Sequence, residues 1–432
     1  MACMKRVLLW TAALCCLIST GCVTTRTSAT ANAPEPLPRI DARGLEFVAD
    51  GEPIELRGVN LGNWLLIERW MLRYPKDAFT DEFELRQILA DRFGQNEADR
   101  LMRVYRDHWI TEADFARLKT YGFNCVRVPL AWWDVLEPTW QTSDIALRDE
   151  AFVWTDRVLR WAEKHGLYVF FDLHAAPGGQ STAAHAGRAG QNKLWTDAAA
   201  QEATIAFWQA MAERYKDRTS IAAFDLINEP YGNHQDDITP QLKTLCERIV
   251  PVIRAAGSDH VILLPGTAWR DVSFYEPPVE LGWTNVGFTV HHYPGRYGEP
   301  RTREAMDREL GPVLDFLQDM LVPLGGPMLL GEFNAYFHSL TGPDLLAEQF
   351  EAYTSRGWAA TMWSWKMVTP DEGIEDSQFA VLLSSDGVLP RPDLQTASAG
   401  EIERYFRSLS SENFIDDETL RTALTRDRPE TP

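Results

Sequence analysis

Six apolar segments of the chain end in side chains of the types that bind sugars or transfer protons. In chain order these side chains are Arg127, His174, Asn228 with Glu229, His291 with Tyr293, Glu332, and Trp363. Glu229 and Glu332 are carboxylates at the ends of different segments. If the segments are strands of one sheet, the pair supplies a carboxylic acid that protonates a leaving oxygen and a carboxylate that attacks carbon or activates water. Cleavage of a glycosidic bond needs such a pair.

Arg127 lies between Val126 and Val128, inside an apolar run. A buried guanidinium without a partner would be costly, so a carboxylate is expected to face it. One interpretation is a structural ion pair. The other is that Arg127 holds one of the two glutamates ionised while burial raises the pKa of the other. Pro230 follows Glu229 and prevents further strand pairing, which puts Glu229 at the rim of the sheet.

Strands of almost continuous apolar content alternate with amphipathic helical patterns. The predicted strands are Glu55–Val59, Asn124–Pro129, Tyr168–Leu173, Ala222–Ile227, Val261–Leu264, Val286–Val290, Met328–Gly331 and Ala359–Trp363. The predicted helices include Glu112–Tyr121, Ala151–His165, Ala198–Tyr215, Gln241–Ala256, Arg303–Leu321 and Pro343–Arg356. The alternation predicts an α/β fold, and eight strands favour a (β/α)8 TIM barrel with functional groups at the strand C-termini. A doubly wound open sheet is the alternative, although no Gly-x-Gly-x-x-Gly motif follows the first strand.

Several segments lie outside this alternation. Asp50-Gly51 between two short apolar runs predicts an N-terminal β-hairpin. Residues 60–114 form a long loop with a helix predicted over Asp81–Phe93, and residues 265–283 form a second loop whose aromatic rings are either sugar platforms or core. We predict one catalytic domain over residues 39–410 and a polar C-terminal tail over residues 411–432, as a frayed helix or a disordered segment.

The first residues resemble an export signal. Lys5 and Arg6 precede an apolar run, and Ser19-Thr20-Gly21-Cys22 is similar to a bacterial lipobox with serine in place of the usual leucine. We predict a lipoprotein-type signal peptide over residues 1–21, lipidation of Cys22 and a flexible tether over residues 22–38, with ordinary secretion as the alternative. Because Val23 and not aspartate follows the cysteine, the resemblance implies an exported protein anchored in the outer membrane, on its periplasmic or cell-surface side.

Composition narrows the possible partners. The formal net charge of −20 opposes binding to phosphate backbones, so no nucleic-acid partner is expected.

Two cysteines, Cys125 and Cys246, lie beyond the lipobox-like segment. Each lies in an apolar segment, which predicts that both are buried free thiols. No Cys-x-x-Cys or His-Glu-x-x-His spacing occurs, so no metal site is indicated. The oligomeric state is left open, with a monomer expected.

The motifs at the strand ends resemble those of glycoside hydrolase family 5, a family of retaining (β/α)8 enzymes. The resemblance rests on Asn228-Glu229-Pro230 and Gly331-Glu332-Phe333, in order with Arg127, His174, His291-x-Tyr293 and Trp363. The segments Leu56–Glu68 and Asp172–Gln180 are similar to the exo-β-1,3-glucanase branch. The resemblance covers residues 45–408, which is nearly the whole chain after the tether.

The resemblance implies a retaining β-glycosidase that hydrolyses β-glucan or related β-linked oligosaccharides by double displacement and that requires no cofactor. It implies that Glu229 is the acid/base and Glu332 the nucleophile. The residues implied to hold these glutamates or to contact the sugar are Arg127, His174, Asn228, His291, Tyr293, Trp363 and Glu68. Trp365 is the alternative to Trp363 as the floor of the sugar site, and His292 is the alternative to His291 as the inward-facing histidine.

Two stretches depart from that branch. Residues 179–187 carry neither its usual Ser-Gln-Asn-Gly nor its Asn-Ser-Gly segment, and Gly62-Asn63 stands where Gly-Gly is usual. The polar groups that hold the non-reducing glucose are therefore altered, which leaves the linkage and exo or endo action open. His185 in the first stretch is a further candidate for substrate contact. A transglycosylase and a catalytically inactive carbohydrate-binding barrel are the alternative functions.

Overall fold

The computed structural model describes residues 35–142, 144–232, 236–267, 270–293, 303–334, 342–369 and 379–426. The predicted signal peptide, the lipidation site Cys22 and most of the predicted tether lie outside these ranges. Within them, no helix combines the length and the apolar character needed to cross a bilayer.

The described residues contain fourteen strands and ten α-helices. The strands are β1 (Ile40–Arg43), β2 (Glu46–Ala49), β3 (Glu52–Pro53), β4 (Arg57–Asn60), β5 (Cys125–Ala131), β6 (Tyr168–Ala175), β7 (Ile221–Asp225), β8 (Val261–Pro265), β9 (Val286–His292), β10 (Met328–Phe333), β11 (Ala359–Met362), β12 (Lys366–Met367), β13 (Leu382–Ser384) and β14 (Phe414–Ile415). The helices are α1 (Glu82–Phe93), α2 (Gln95–Trp109), α3 (Glu112–Thr120), α4 (Val153–Lys164), α5 (Ala198–Tyr215), α6 (Thr239–Ala255), α7 (Arg303–Leu321), α8 (Gly342–Thr354), α9 (Ala399–Ser408) and α10 (Glu418–Thr425).

Eight parallel strands close into a barrel in the order β10-β11-β4-β5-β6-β7-β8-β9. Each strand pairs with its successor in the chain, and β11 closes the ring by pairing with β4. The strands are apolar because one face points into the barrel and the other contacts helices, so all seven residues of β5 are buried. The predicted (β/α)8 barrel is confirmed, and the doubly wound open sheet is wrong because a closed ring has no edge strands.

Side chains inside the barrel form layers along its axis. The layer near the strand N-termini is apolar and includes Leu56, Cys125, Phe170, Ala223, Leu263, Leu329 and Ala359. Two residues further along three of these strands stand Arg127, Asp172 and Asp225, which point inward as well because strand side chains alternate with period two. The barrel is therefore apolar near the start of its strands and charged in its next layer.

The N-terminal hairpin covers the apolar end of the barrel. β1, β2 and β3 form a small antiparallel sheet whose turn contains Asp50 and Gly51, both with positive φ, as the Asp-Gly pair predicts. Ile40 and Phe47 are buried against the apolar layer, and the ring of Phe47 stands edge-on to that of Phe170 at 6.3 Å. The hairpin thus seals the end of the barrel opposite the strand C-termini.

The long segment after β4 contains one helix more than predicted. α1 begins where expected, with the Asp81 carboxylate accepting the Glu84 amide at 2.9 Å. α2 was missed because its sequence is mostly polar, although it buries Leu101, Tyr105 and Trp109 along one face. The Trp109 indole donates to Gly62 O at 2.9 Å, so α2 supports the loop that follows the first barrel strand.

The loop between β8 and β9 uses its aromatic rings as core. Tyr275 is buried, and its hydroxyl donates to Pro265 O at 3.1 Å. Phe274 and Trp283 pack partly buried against the same core. Trp269 belongs to the predicted aromatic loop but lies outside the described residues. Cys125 and Cys246 are buried free thiols, as predicted.

The structure describes the predicted polar tail up to residue 426, and there it contains a strand and a helix instead of a frayed or disordered segment. β14 pairs with β13, and α10 buries Leu420 and Leu424. Arg117 on α3 donates to Asp416 Oδ1 at 2.8 Å. The buried Lys366 ammonium donates to Leu409 O at 2.9 Å. The polar composition reflects one exposed face, while a few apolar residues dock this segment on the barrel.

Candidate active site

The guanidinium of Arg127 is the centre of a buried cluster inside the barrel. Nε donates to Asp225 Oδ2 at 2.8 Å, Nη1 donates to Asn60 Oδ1 at 3.0 Å, and Nη2 lies 3.0 Å from Asp172 Oδ1. Burial raises the pKa of Asp172 and of Asp225 to about 6, although the charge of Arg127 acts to lower both. Arg127 therefore makes the structural ion pairs that one interpretation of its burial predicts.

Glu332 points into the barrel because β10 is irregular. Strict alternation from the inward-facing Leu329 would turn Gly331 inward and Glu332 outward. The register of β10 against β9 shifts just before Glu332, and this bulge turns the carboxylate inward. Glycine is needed at 331, because a Cβ there would lie 2.9 Å from Thr289 Oγ1 and 3.0 Å from His291 Nε2.

Two donors hold the two oxygens of Glu332. Arg127 Nη1 donates to Oε1 at 3.1 Å, and the Tyr293 hydroxyl donates to Oε2 at 2.7 Å. The carboxylate is therefore fixed in orientation and lies beside a buried positive charge. Arg127 thus also makes the contact that the second interpretation requires, since it binds one of the two predicted glutamates as well as the aspartates.

Glu229 follows β7 in a left-handed backbone conformation with φ of 38°. Its Oε1 contacts His291 Nδ1 at 2.8 Å, and its Oε2 lies 3.4 Å from His185 Nε2. Burial acts to raise the pKa of Glu229, but the hydrogen bond to His291 and the charge of His185 outweigh burial and lower it. Burial likewise acts to lower the pKa of His291, which Glu332 and Glu229 raise. The predicted rise in the pKa of the second glutamate is therefore wrong for the free site.

The two carboxylates face each other across a short gap. One oxygen of Glu229, one oxygen of Glu332 and a ring nitrogen of His291 lie within 4.8 Å of one another. The surroundings of the two groups differ, because an arginine and a tyrosine hold Glu332 whereas histidines flank Glu229. Both side chains are less than a tenth exposed.

A hydrogen-bonded chain fixes the tautomer of His174. Its Nδ1 lies 2.6 Å from Asp172 Oδ2, and its Nε2 lies 3.2 Å from the Asn228 amide nitrogen. Asn228 Oδ1 accepts from Arg127 at 3.0 Å, so its amide nitrogen must donate to His174. His174 is neutral with its proton on Nδ1, and burial lowers its pKa well below the ordinary value.

Trp363, and not Trp365, lies at the mouth of the barrel. The Trp363 ring stacks on His174 with centroids 5.5 Å apart and packs against Gly62, where a Cβ would lie 3.0 Å from the indole. Trp365 is fully buried outside the barrel, and its indole donates to Asp114 at 2.8 Å. The alternative that Trp365 forms the floor of the site is therefore wrong.

His291 and His292 point to opposite faces of the barrel wall. His291 faces the two glutamates, whereas His292 contacts the Tyr353 hydroxyl of α8 at 2.8 Å on the outside of the barrel. Alternation along β9 explains the difference, since Thr289 also points inward. His291 is the inward-facing histidine, as predicted.

Glu68 lies near the carboxylate pair, on the loop after β4. Its Oε2 accepts from the Trp70 indole at 2.8 Å, and its amide donates to Asn63 Oδ1 at 2.6 Å. Burial raises the pKa of Glu68 to about 7, the charge of His185 lowers it in part, and both Glu229 and Glu332 raise it further. The predicted residues Arg127, His174, Asn228, Glu229, His291, Tyr293, Glu332, Trp363 and Glu68 thus gather at one end of the barrel.

Comparison with known proteins identifies the family. Residues 50–368 match the family model described as cellulase (glycosyl hydrolase family 5). The chain belongs to glycosyl hydrolase family 5. The matched range includes all eight barrel strands and both glutamates.

Relatives of this family 5 protein include two fungal enzymes. A β-xylosidase of Phanerodontia chrysosporium is 32% identical over 249 residues, which are 56% of this chain and 49% of the relative. A glucan 1,3-β-glucosidase of Blumeria graminis is 32% identical over 213 residues, which are 46% of each chain. The family 5 protein thus aligns with about half the length of these relatives.

Solved structures resemble the family 5 protein in fold. A rutinosidase from Aspergillus niger superposes with a TM-score of 0.58 at 16% identity, covering 74% of this chain and 91% of the other. Endoglucanase Cel5A from Thermotoga maritima superposes with a TM-score of 0.51 at 20% identity, covering 81% and 96%. At these identities the similarity supports the barrel architecture.

Sequence reasoning missed three polar residues of the site, namely Asn60, Asp172 and Asp225. All three hydrogen-bond or ion-pair with Arg127. A usable signal existed for the aspartates, because each interrupts an apolar strand as Arg127 does. Asp172 also stands two residues before His174, so alternation places both on one face of β6.

The group of Glu229, His291 and Glu332 has a spacing that could hold a metal ion. The donor set fits such an ion poorly. His291 and Glu229 already bind each other, and the oxygens of Glu332 accept hydrogen bonds from Arg127 and Tyr293. A cation would have to displace these donors beside a buried guanidinium. The arrangement matches proton transfer and nucleophilic attack better than metal ligation.

Proposed function

We propose that this family 5 protein is a retaining β-glycosidase that hydrolyses β-glucans, with Glu332 as nucleophile and Glu229 as acid/base. The observation that carries the proposal is the carboxylate pair, with oxygens within 4.8 Å of each other. Retaining enzymes place the two carboxyl groups about 5–5.5 Å apart, whereas inverting enzymes need about 6.5–9.5 Å to admit a water molecule. The short gap favours direct attack on the anomeric carbon.

In the first step Glu332 attacks the anomeric carbon, the bond to the leaving oxygen breaks, and Glu229 gives that oxygen a proton. Arg127 and Tyr293 hold the nucleophile in place before the reaction, so attack needs little reorganisation. The Asn228 amide nitrogen has a second hydrogen beyond the one given to His174, and this hydrogen binds the 2-hydroxyl of the sugar. Trp363 forms the apolar floor under the ring.

In the second step Glu229, now ionised, takes a proton from water. As that proton leaves, the water oxygen attacks the anomeric carbon, and the bond to Glu332 breaks. The net reaction adds one water molecule across the glycosidic bond, and both carboxyl groups return to their starting states. Two inversions at the same carbon retain its configuration.

Glu229 and His291 share one proton in the free site, because their contact lowers one pKa and raises the other. The pair is competent when this proton moves to Glu229 as sugar and leaving oxygen replace water. The pair gains a second proton at low pH and loses its one proton at high pH. We therefore expect a bell-shaped dependence of kcat/KM on pH.

The experiment that tests the function is a substrate panel followed by NMR. The purified protein is incubated with β-1,3-, β-1,4- and β-1,6-linked glucans and oligosaccharides and with β-mannan, beside Glu332→Gln and the exposed control Glu280→Gln. We expect β-1,3-linked substrates to react best, in keeping with the named activity of the Blumeria relative. The first-formed product should be the β-anomer, and only Glu332→Gln should be inactive.

The outcomes separate the alternatives. Glucose as sole product means exo action, and a ladder of oligosaccharides means endo action. Products longer than the substrate mean transglycosylation. An α-anomer as first product would contradict the retaining mechanism, activity of Glu332→Gln would contradict the nucleophile, and binding without turnover would leave a carbohydrate-binding barrel.

We further propose that the protein is a monomeric lipoprotein, exported and anchored at Cys22 to the outer membrane. The proposal is supported by the lipobox-like Ser19-Thr20-Gly21-Cys22 after an apolar segment. Cys22→Ala should move the protein from the membrane fraction to the soluble fraction, whereas the control Cys16→Ala should leave it membrane-bound. Retention of Cys22→Ala in the membrane would contradict lipidation at this residue.

A further inference from the structure

Two imidazole rings from different elements flank Glu229. His291 ends β9 and contacts Oε1 at 2.8 Å. His185 lies in a 3-10 turn, Ala184–Ala186, between β6 and α5, and its Nε2 comes within 3.4 Å of Oε2. This nitrogen is buried and makes no hydrogen bond within the described residues, so its approach to Oε2 is an ion-pair contact without a competing hydrogen-bond partner. The two-step mechanism above uses only His291.

Packing fixes the position of His185. Gly187 ends the turn with φ of 88°, and a Cβ there would lie 2.8 Å from the Ala175 methyl carbon and still closer to the Trp133 ring. The His185 ring stands edge-on to that of His174, with centroids 6.1 Å apart. The turn therefore holds the imidazole against Glu229 before any sugar binds.

We propose that His185 is a positioning residue of the acid/base, which lies against Oε2 of Glu229 and, when protonated, favours the carboxylate over the carboxylic acid. The inference rests on the proposed role of Glu229. A positive charge at this distance stabilises the ionised form of a carboxyl group. His185 then opposes the acid in the first step and supports the base in the second. It sets the pH range in which Glu229 can do both.

Ionisable groups from every neighbouring element act on the same carboxylate. Those that interact with Glu229 directly are Asp172 and His174 on β6, His291 at the end of β9 and Glu68 on the β4–α1 loop. The remaining charged and titratable groups of the site are Arg127 on β5, Asp225 on β7, Tyr293 after β9 and Glu332 on β10. His185 also lowers the pKa of Glu68, so its charge acts on two acids. Because these groups are the same in wild type and variant, a difference between the two isolates the contribution of His185.

The test replaces His185 by asparagine, which keeps a polar N–H and removes the titratable ring. The control is His165→Asn at the end of α4, where the ring contacts Glu112 away from the barrel mouth. The pH dependence of kcat/KM is measured with a β-glucan oligosaccharide that the wild type hydrolyses. We expect both limbs of the profile to move to higher pH by about one unit in His185→Asn, with KM nearly unchanged, and neither limb to move in the control.

A second measurement needs no turnover. In protein labelled with carbon-13 at the glutamate carboxyl groups, the Glu229 signal is assigned by its loss in Glu229→Gln, and its titration midpoint is read by NMR. The midpoint should lie higher in His185→Asn than in the wild type. Equal midpoints, or unmoved limbs with a raised KM, would overturn the proposal and make His185 a sugar contact only. A wild type without turnover would refute the proposed function, and the titration would still test His185.

Discussion

The two ends of the barrel bury different kinds of side chain, although the same strands build both. Near the strand N-termini, Phe47 of the hairpin packs edge-on against Phe170 of β6 inside an apolar cluster. Two residues further along β6, Asp172 is fully buried with Arg127 and Asp225. Burial of apolar surface stabilises the fold at the apolar end by about 25 cal/mol per Å². The buried ion pairs of the charged layer add little net stability, but removing one of their members destabilises the fold.

This difference shows that stability and chemistry occupy different layers of one fold. The apolar layer and the hairpin can hold the barrel closed without constraining the reaction. The charged layer positions Glu332 and Asn228 by burying the guanidinium of Arg127 together with the carboxyl groups of Asp172 and Asp225. Substitutions in the two layers should therefore separate stability from activity, and the predictions below test that separation.

The largest effect is expected for Glu332, the proposed nucleophile. Glu332→Gln should lower kcat by about 10⁴-fold or more, because an amide does not attack the anomeric carbon. Its thermal midpoint should stay near that of the wild type, since the amide oxygen still accepts from Arg127. Steady-state kinetics and circular dichroism melting measure the two quantities. If the variant lost its fold together with its activity, the proposed separation of stability from activity would be contradicted.

The next effect compares one residue from each layer. Arg127→Met should lower the free energy of unfolding by about 3–5 kcal/mol, because it leaves buried carboxylates uncompensated. Phe47→Ala should lower it by a similar amount through a cavity. Urea unfolding measures both, and kcat of the folded fraction distinguishes them. We expect activity to be lost in Arg127→Met and kept in Phe47→Ala, and equal residual activity would refute the comparison.

Trp363 at the mouth of the barrel and the buried Trp365 outside it give a second comparison of activity with stability. Trp363→Ala should lower kcat/KM by about 10²-fold, because in the proposed mechanism the sugar loses the surface that aligns it with the two glutamates. Trp365→Phe should leave kcat/KM unchanged and cost about 1–3 kcal/mol of stability, since the buried Asp114 loses its indole donor. A loss of kcat/KM in Trp365→Phe but not in Trp363→Ala would contradict the assignment and indicate that Trp365 contacts the sugar.

The smallest effect is the pH dependence of stability. Burial raises the pKa of Asp225 from 3.8 to about 6, so the folded state binds a proton more tightly than the unfolded state. The stability that Asp225 contributes is present below pH 4 and is lost as the pH rises to about 6. Relative to Asp225→Asn, the wild type should lose on the order of 2 kcal/mol across this window and change little above it. Urea unfolding at a series of pH values checks the sign, and a gain with rising pH would contradict it.

Much of the fold could be predicted because its strands are buried on both faces. Each of the eight barrel strands has both ends within two residues of the prediction. Helix α2 and the docked segment 411–426 could not be recognised, because each is mostly polar and depends on a few buried residues for its place. The inward direction of His291 follows from alternation along β9. The direction of Glu332 does not, because alternation from Leu329 points it outward.

The sequence by itself determined the eight apolar strands, the residues that end them and the inward face of β5 and β6, because period-two alternation and hydrophobic burial act locally. Only the tertiary structure decided which carboxylates share Arg127, that a bulge turns Glu332 into the barrel, and that two histidines flank Glu229. These features depend on strand register and on a loop that packs across the mouth. Distances between residues about a hundred positions apart in the chain are set by closure of the barrel, which no local pattern records.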